Sequence, residues 1–184
     1  ARESLVEGSG LYRALAGAPA TFTIYARDAA GVAQPSGGDL FSVGLTSTGG
    51  ALLNATVTDL TNGTYAVYYT PTVAGVYTMD ITLNGAPVGE SPYRVHIFPA
   101  PTSPAHCAAM GAGLLEAVAG EASTFVITPR DSFGNARPLE PPGLFKSTVA
   151  MRRGGLPLSE LAWQPVRVSD LANATYLAEY VVRQ

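Results

Sequence analysis

Two histidines, one cysteine and a scatter of aspartates are the side chains of this 184-residue chain with chemistry to offer. His106 and Cys107 are neighbours, the residue types of a thiol nucleophile and its base. Consecutive residues in an extended segment point apart, however, and nucleophile–base pairs are assembled across a fold. His96 lies between Val95 and Ile97, so strand alternation turns its ring away from the face those two share. No Gly-x-Ser-x-Gly elbow, His-Glu-x-x-His pair or phosphate-binding glycine loop occurs, and the Gly8-x-Gly10 and Gly111-x-Gly113 pairs lack a third glycine. The expectation is a protein that is not an enzyme and needs no cofactor.

Asp28, Asp39 and Asp59 could meet at one end of a fold and hold calcium, since hard cations take clustered carboxylates. The competing reading is stronger. Asp28-Ala-Ala-Gly31 and Asp131-Ser-Phe-Gly134 are turn sequences, in which the aspartate bonds its own backbone and the glycine takes a positive φ; no metal is expected. Asn54, Asn62 and Asn173 each stand two residues before a threonine and fit the glycosylation pattern. Asn62 and Asn173 also occupy a turn that needs asparagine for backbone reasons, so Asn54 carries the independent weight.

The elements that must position these residues follow from composition and periodicity. Apolar residues make up 47% and charged ones 14%, which favours a buried core over disorder. Twenty glycines and fourteen prolines favour many short strands over long helices. A net charge of −3 removes the electrostatic footprint of a nucleic-acid binder. The single cysteine excludes an intrachain disulfide and any multi-cysteine metal site. No run of apolar residues is long enough to span a bilayer, because three prolines and two glycines break the stretch Phe98 to Leu115. The chain opens at Ala1 without a methionine or signal-like segment and reads as a piece excised from something longer.

The chain also repeats itself. Gly10-Leu11, Ala16-Gly17, Phe22-Thr23-Ile24, Arg27-Asp28 and Gly31 recur 103 residues later as Gly113-Leu114, Ala119-Gly120, Phe125-Val126-Ile127, Arg130-Asp131 and Gly134. Leu40-Phe41 recurs at 104, and Val57-x-Asp59-Leu60 and Thr64-Tyr65 recur at 111. Ordered matches at nearly constant offset mean two copies of one unit. The division expected is a complete unit over 1–99, a proline-rich linker over 100–107 and a second unit over 108–184.

Within the first copy the period is two. Phe22, Ile24 and Ala26 share a face, as do Phe41, Val43 and Leu45; Tyr65, Val67 and Tyr69; Tyr77, Met79, Ile81 and Leu83; and Tyr93, Val95 and Ile97. Adding strands near Leu5 to Tyr12 and Leu53 to Leu60 gives about seven in the unit, with tight turns at Thr61-Asn62-Gly63 and Asn84-Gly85. That spacing predicts an all-β chain of two tandem immunoglobulin-like sandwiches. A short helix over Gly113 to Glu121 is the competing local reading.

Gly8-Ser-Gly-Leu11, Ala16-Gly17, Phe22-Thr-Ile24, Ala26-Arg-Asp-Ala-x-Gly31 and Gly37-Gly-Asp39-x-Phe41-x-Val43 stand in the order of the first half of a filamin-type repeat. Val57-x-Asp59-x-x-Asn62-Gly-Thr-Tyr65, Tyr69-Thr-Pro71, Ala74-Gly75-x-Tyr77 and Gly89-x-Ser91-Pro-Tyr93-x-Val95 resemble its second half. The resemblance covers residues 8–98 and is nearest to filamin repeats of protist and algal type. The second copy departs from it, with Pro141-Pro142-Gly143 for Gly-Gly-Asp and Asn173-Ala174 for the Asn-Gly turn. It also stops near the counterpart of Pro71, before two strands that bring seven inward apolar residues to the first copy. Were Gln184 a true end, the second unit would be loosely ordered or completed by another chain's strands.

The resemblance implies a non-catalytic scaffold module of an actin-linked, multi-repeat protein, although no calponin-homology domain lies in this chain. It implies a cytoplasmic or cytoskeletal location and protein partners: extended peptides, neighbouring repeats or further copies. It assigns peptide binding to the third strand, Phe41, Ser42, Val43, Gly44, Leu45 and Thr46, with the groove toward Leu53–Asp59. That strand carries neither charge nor proline, so nothing in it blocks an added strand. The alternative is an extracellular or cell-surface adhesion protein built from the same repeats, to which the three sequons would belong.

Overall fold

The computed structural model describes residues 3–137, 145, 147–149 and 164–182, arranged as two compact units over 1–100 and 101–184. Ten strands build the first: β1 (Leu5–Glu7), β2 (Arg13–Leu15), β3 (Ala20–Tyr25), β4 (Phe41–Ser47), β5 (Leu52–Asn54), β6 (Thr56–Asp59), β7 (Thr64–Tyr69), β8 (Gly75–Leu83), β9 (Ala86–Pro87) and β10 (Tyr93–Phe98). They form one sheet of order β1-β3-β7-β6 and another of order β2-β10-β8-β4-β5, with β9 hairpinned onto β8. The residues expected to share inward faces do so, and they close a single core from Leu11 to Ile97.

Two expected strands are each split in two. The run from Leu5 breaks at a 3-10 turn over Ser9–Leu11, so β1 pairs β3 in one sheet and β2 pairs β10 in the other. Glycine permits the break: a Cβ on Gly10 would stand 2.7 Å from the Thr21 carbonyl oxygen. Likewise the run from Leu53 divides at Ala55 into β5 and β6, one in each sheet.

In the second unit β11 (Ala108–Met110), β12 (Ala122–Thr128), β13 (Ser147–Val149), β14 (Gln164–Asp170) and β15 (Tyr176–Val181) form one sheet of order β11-β12-β15-β14-β13. A 3-10 turn over Ala112–Leu114 overlaps the start of the competing helix reading over Gly113 to Glu121. Among the described residues most core side chains of this unit are less covered than their first-copy counterparts: Ile127 is 9% exposed against 0% for Ile24, and Phe125 8% against 3% for Phe22. Thr102 bridges Asp131 and the Ser103 N–H donates to the Arg130 carbonyl, so these residues of the expected linker are tied into the second unit. Pro141-Pro142-Gly143 lies outside the described residues. Among those residues no helix is long and apolar enough to cross a membrane.

Candidate docking edge

Strand β4 enters the sheet from the loop that carries Gly37-Gly38-Asp39. The Asp59 carboxylate accepts the Gly38 N–H at 2.8 Å and the Thr61 N–H at 2.7 Å, so one side chain ties this loop to the β6–β7 turn. A Cβ at Gly37 would land on that carboxylate, which explains the glycine. Beside it the Asp39 N–H donates to the Tyr65 hydroxyl at 2.8 Å, and the Tyr65 ring meets Phe41 edge-on at 4.7 Å. Burial raises the Tyr65 phenol, the Asp39 amide pulls it back, and the charges of Asp39 and Asp59 raise it further. Phe145 and Tyr176 make the matching ring contact in the second unit, at 5.0 Å.

The inner face of β4 is built as expected, with Val43 and Leu45 buried and Phe41 packed against the core. Its edge is not. All of β4 pairs β8, from Phe41 opposite Leu83 to Ser47 opposite Tyr77. On its other side Gly44, Leu45 and Thr46 pair with Asn54, Leu53 and Leu52. The Ser47 N–H donates to the Ala51 carbonyl at 2.8 Å, and the Ala55 N–H donates to the Val43 carbonyl at 3.2 Å. The reading of β4 as an open edge is therefore corrected: β5 lies along it, and only Phe41 and Ser42 extend beyond.

Hydrogen-bond direction also decides which backbone groups of β4 face β5. In an antiparallel ladder a residue's N–H and C=O point to the same side, and the side alternates along the strand. Val43 and Ser47 face β5, so Phe41 and Leu45 do too, whereas Ser42, Gly44 and Thr46 direct their backbone groups at β8. A proline at Gly44 would break an internal rung rather than an edge donor. The sequence held a usable signal for this hairpin, because Gly49-Gly50 separates two apolar runs, with Gly50 at φ 84°. The second unit keeps the register, with Ser147, Thr148 and Val149 opposite Val166, Pro165 and Gln164. Those are the positions 104 and 111 residues beyond Val43–Leu45 and Ala55–Leu53.

The remaining sequence candidates have separate places. One Asp28 carboxylate oxygen accepts the Ala30 and Val32 N–H groups, and Asp131 does the same for Phe133 and Asn135, which is the turn chemistry expected. No group of three His, Cys, Asp or Glu able to hold a metal occurs among the described residues. His96 faces outward from β10, and the His106 Nδ1 lies 2.9 Å from the Ser103 hydroxyl across a 3-10 turn. The Cys107 thiol donates to the Ser103 carbonyl. Asn54, Asn62 and Asn173 are all exposed, and the Asn62 side-chain oxygen accepts both the amide and the hydroxyl of Thr64.

A family model described as Filamin/ABP280 repeat matches residues 1–94. Among curated proteins, E3 ubiquitin-protein ligase TRIM71 of Rattus norvegicus is 41% identical over 88 residues, 48% of this chain and 10% of that protein. Tripartite motif-containing protein 3 of Mus musculus is 36% identical over 95 residues, 52% of this chain and 13% of that protein. The chain thus spans about a tenth of the length of these curated relatives. Among solved structures, the Lin-41 filamin domain is 26% identical, covering 52% of this chain and 92% of its own, with a TM-score of 0.44. Invasin, a bacterial integrin-binding protein, covers 99% of this chain and 34% of its own at 19% identity and a TM-score of 0.60, a likeness of fold. Because the family model spans more than half of the residues and ends inside the last strand of the first sandwich, the chain belongs to the filamin repeat family, whose repeats are protein-interaction modules.

Proposed function

We propose that the first unit docks partner proteins by taking an extended peptide as an added strand on β4, in the place that β5 holds. The observation that carries this reading is the contrast between the two neighbours of β4. On one side β8 pairs with all seven residues of β4; on the other β5 is three residues long, and its Leu52 is 79% exposed. A short clasp of this kind can be exchanged for a longer strand, whose backbone bonds supply affinity while the groove toward β6 selects side chains. In this reading the parent is a multi-repeat scaffold associated with actin organisation. The ligase activity in one relative's name belongs to that protein.

A disulfide across the clasp tests it. Gly44 and Asn54 face each other between hydrogen-bonded rungs, where Cα atoms stand about 4.5 Å apart, within disulfide reach. Nothing lies within 4 Å of a Cβ at Gly44. The variant Gly44→Cys/Asn54→Cys, with Cys107→Ser to leave one thiol pair, is panned against a phage library of random peptides. Binders selected on the reduced protein should lose affinity on oxidation and regain it on reduction. Equal binding in both states would place the peptide site elsewhere.

A second reading, an extracellular adhesion protein, is favoured by the three exposed sequons at Asn54, Asn62 and Asn173. Its test is a mobility shift on enzymatic deglycosylation of the protein from its native source; no shift removes it.

A further inference from the structure

The strands at the other end of the second sheet carry a feature that strand addition does not use. Residues 3–100 contain three arginines, no lysine and seven carboxylates, so the first unit is acidic. Of the three arginines, Arg27 is committed internally, its guanidinium donating to the Gly31 carbonyl at 2.9 Å. The other two stand together on the outer face of β2 and β10. Arg13 is directly opposite His96 in the parallel β2–β10 pair, and Arg94 lies two residues from His96 on the same face of β10. At about 3.3 Å per residue along a strand and about 4.8 Å between strands, the three side chains arise from a patch roughly 7 by 5 Å.

This cluster has an apolar flank. One row further along, Leu15 stands opposite Phe98, and they are 43% and 53% exposed. Across the sheet His96 faces Val76 and Arg94 faces Thr78, with Asp80 beyond as the one carboxylate on this face among the described strands. The outer face of the opposite sheet differs: its outward residues on β1, β3, β7 and β6 include Glu7 and no cation. An acidic domain that sets two uncommitted arginines of its described residues beside an exposed Leu–Phe pair displays the charge and the anchor of an interface core.

We propose that the outer face of β2 and β10 docks an acidic peptide segment that carries a large apolar side chain. Its carboxylates meet Arg13 and Arg94, with His96 as a further donor, and its apolar residue packs on Leu15 and Phe98. Arginine suits this task because its planar fork binds carboxylates bidentately. The site lies at the opposite end of the strand order from β4 and β5, so the two can be tested apart.

The probe is a fluorescent peptide with several glutamates around one phenylalanine, titrated into the whole chain by anisotropy at about 0.05 M salt, where surface charges are weakly screened. Arg13→Ala/Arg94→Ala should weaken binding by about tenfold or more, as should replacing the glutamates with glutamine or raising the salt to about 0.5 M. Phe98→Ser should weaken it with the salt dependence unchanged. Arg13→Lys/Arg94→Lys, which keeps the charge, should bind more tightly than the alanine pair, separating charge from any loss of fold. Equal affinity of the parent and the alanine pair overturns the proposal. Tighter binding of a single-stranded oligonucleotide of the same charge overturns the choice of a peptide.

Discussion

Replacing Tyr69 by phenylalanine removes one oxygen from the middle of the first sandwich. The Tyr69 ring is 2% exposed, and its hydroxyl donates to the Gly10 carbonyl at 2.5 Å, pinning the 3-10 turn between β1 and β2 to the sheet through β7. Without the hydroxyl, that carbonyl is left with one donor fewer in a dry place, at a cost of about 1–3 kcal/mol. For a domain of this size that is a loss of roughly 4–24 °C in Tm. Burial also pushes the Tyr69 phenol up to about 12 from 10.0. A phenol whose folded pKa is raised favours the fold below its unfolded value, and this contribution is lost as pH climbs from about 10 to about 12. At about 1.4 kcal/mol per unit, the loss is of order 2 kcal/mol. The variant has no such group, so the stability gap between parent and variant should be widest near pH 8 and shrink through that window. The assay is urea unfolding at stepped pH, followed by amide signals of β3 and β7 so that the second unit does not blur the transition. No gap near pH 8, or a gap that stays constant to about pH 12, would refute the reasoning.

Other perturbations probe the same construction. Gly63 has φ 75° and a Cβ there would fall inside the Gln34 carbonyl, so Gly63→Ala should destabilise the first unit by more than the roughly 1–2 kcal/mol of a left-handed residue alone. Its counterpart Ala174 already sits at φ 66°, so Ala174→Gly should stabilise the second unit by about 1 kcal/mol, read by denaturant midpoint; a loss instead would mean that the alanine methyl packs usefully. Asp59→Ala releases the Gly38 and Thr61 amides at an exposed site, for about 1–2 kcal/mol. Hydrogen exchange should then quicken at those two amides and remain slow in β8; uniform acceleration would contradict a local clasp.

The all-β class, the filamin-type repeat and the inward faces of the first unit were legible in the residues themselves. Alternation with period two is imposed by the pleat, so Phe22, Ile24, Val67, Met79 and Val95 announce a core face wherever their strand pairs. Turn chemistry is equally local: Asp28 and Asn84-Gly85 satisfy or bend their own backbone whatever surrounds them. Family membership rested on the same residues, because the repeat's spacing is largely a spacing of turns and core positions.

What the sequence left open was which strand lies beside which. The run from Leu53 to Leu60 reads as one strand, and nothing in its residues marks a break, because pairing depends on backbone groups that every residue carries. Only the fold shows the break at Ala55, the Ala55 bond to Val43 and the resulting turn of the Gly44 amide toward β8. The cluster of Arg13, Arg94 and His96 has the same origin: Arg13 and Arg94 are 81 positions apart, and a parallel register between an edge strand and its neighbour sets them on one face. Alternation fixes which side of a strand a residue faces, since that is local geometry, but a surface made by two distant strands exists only once their register is set.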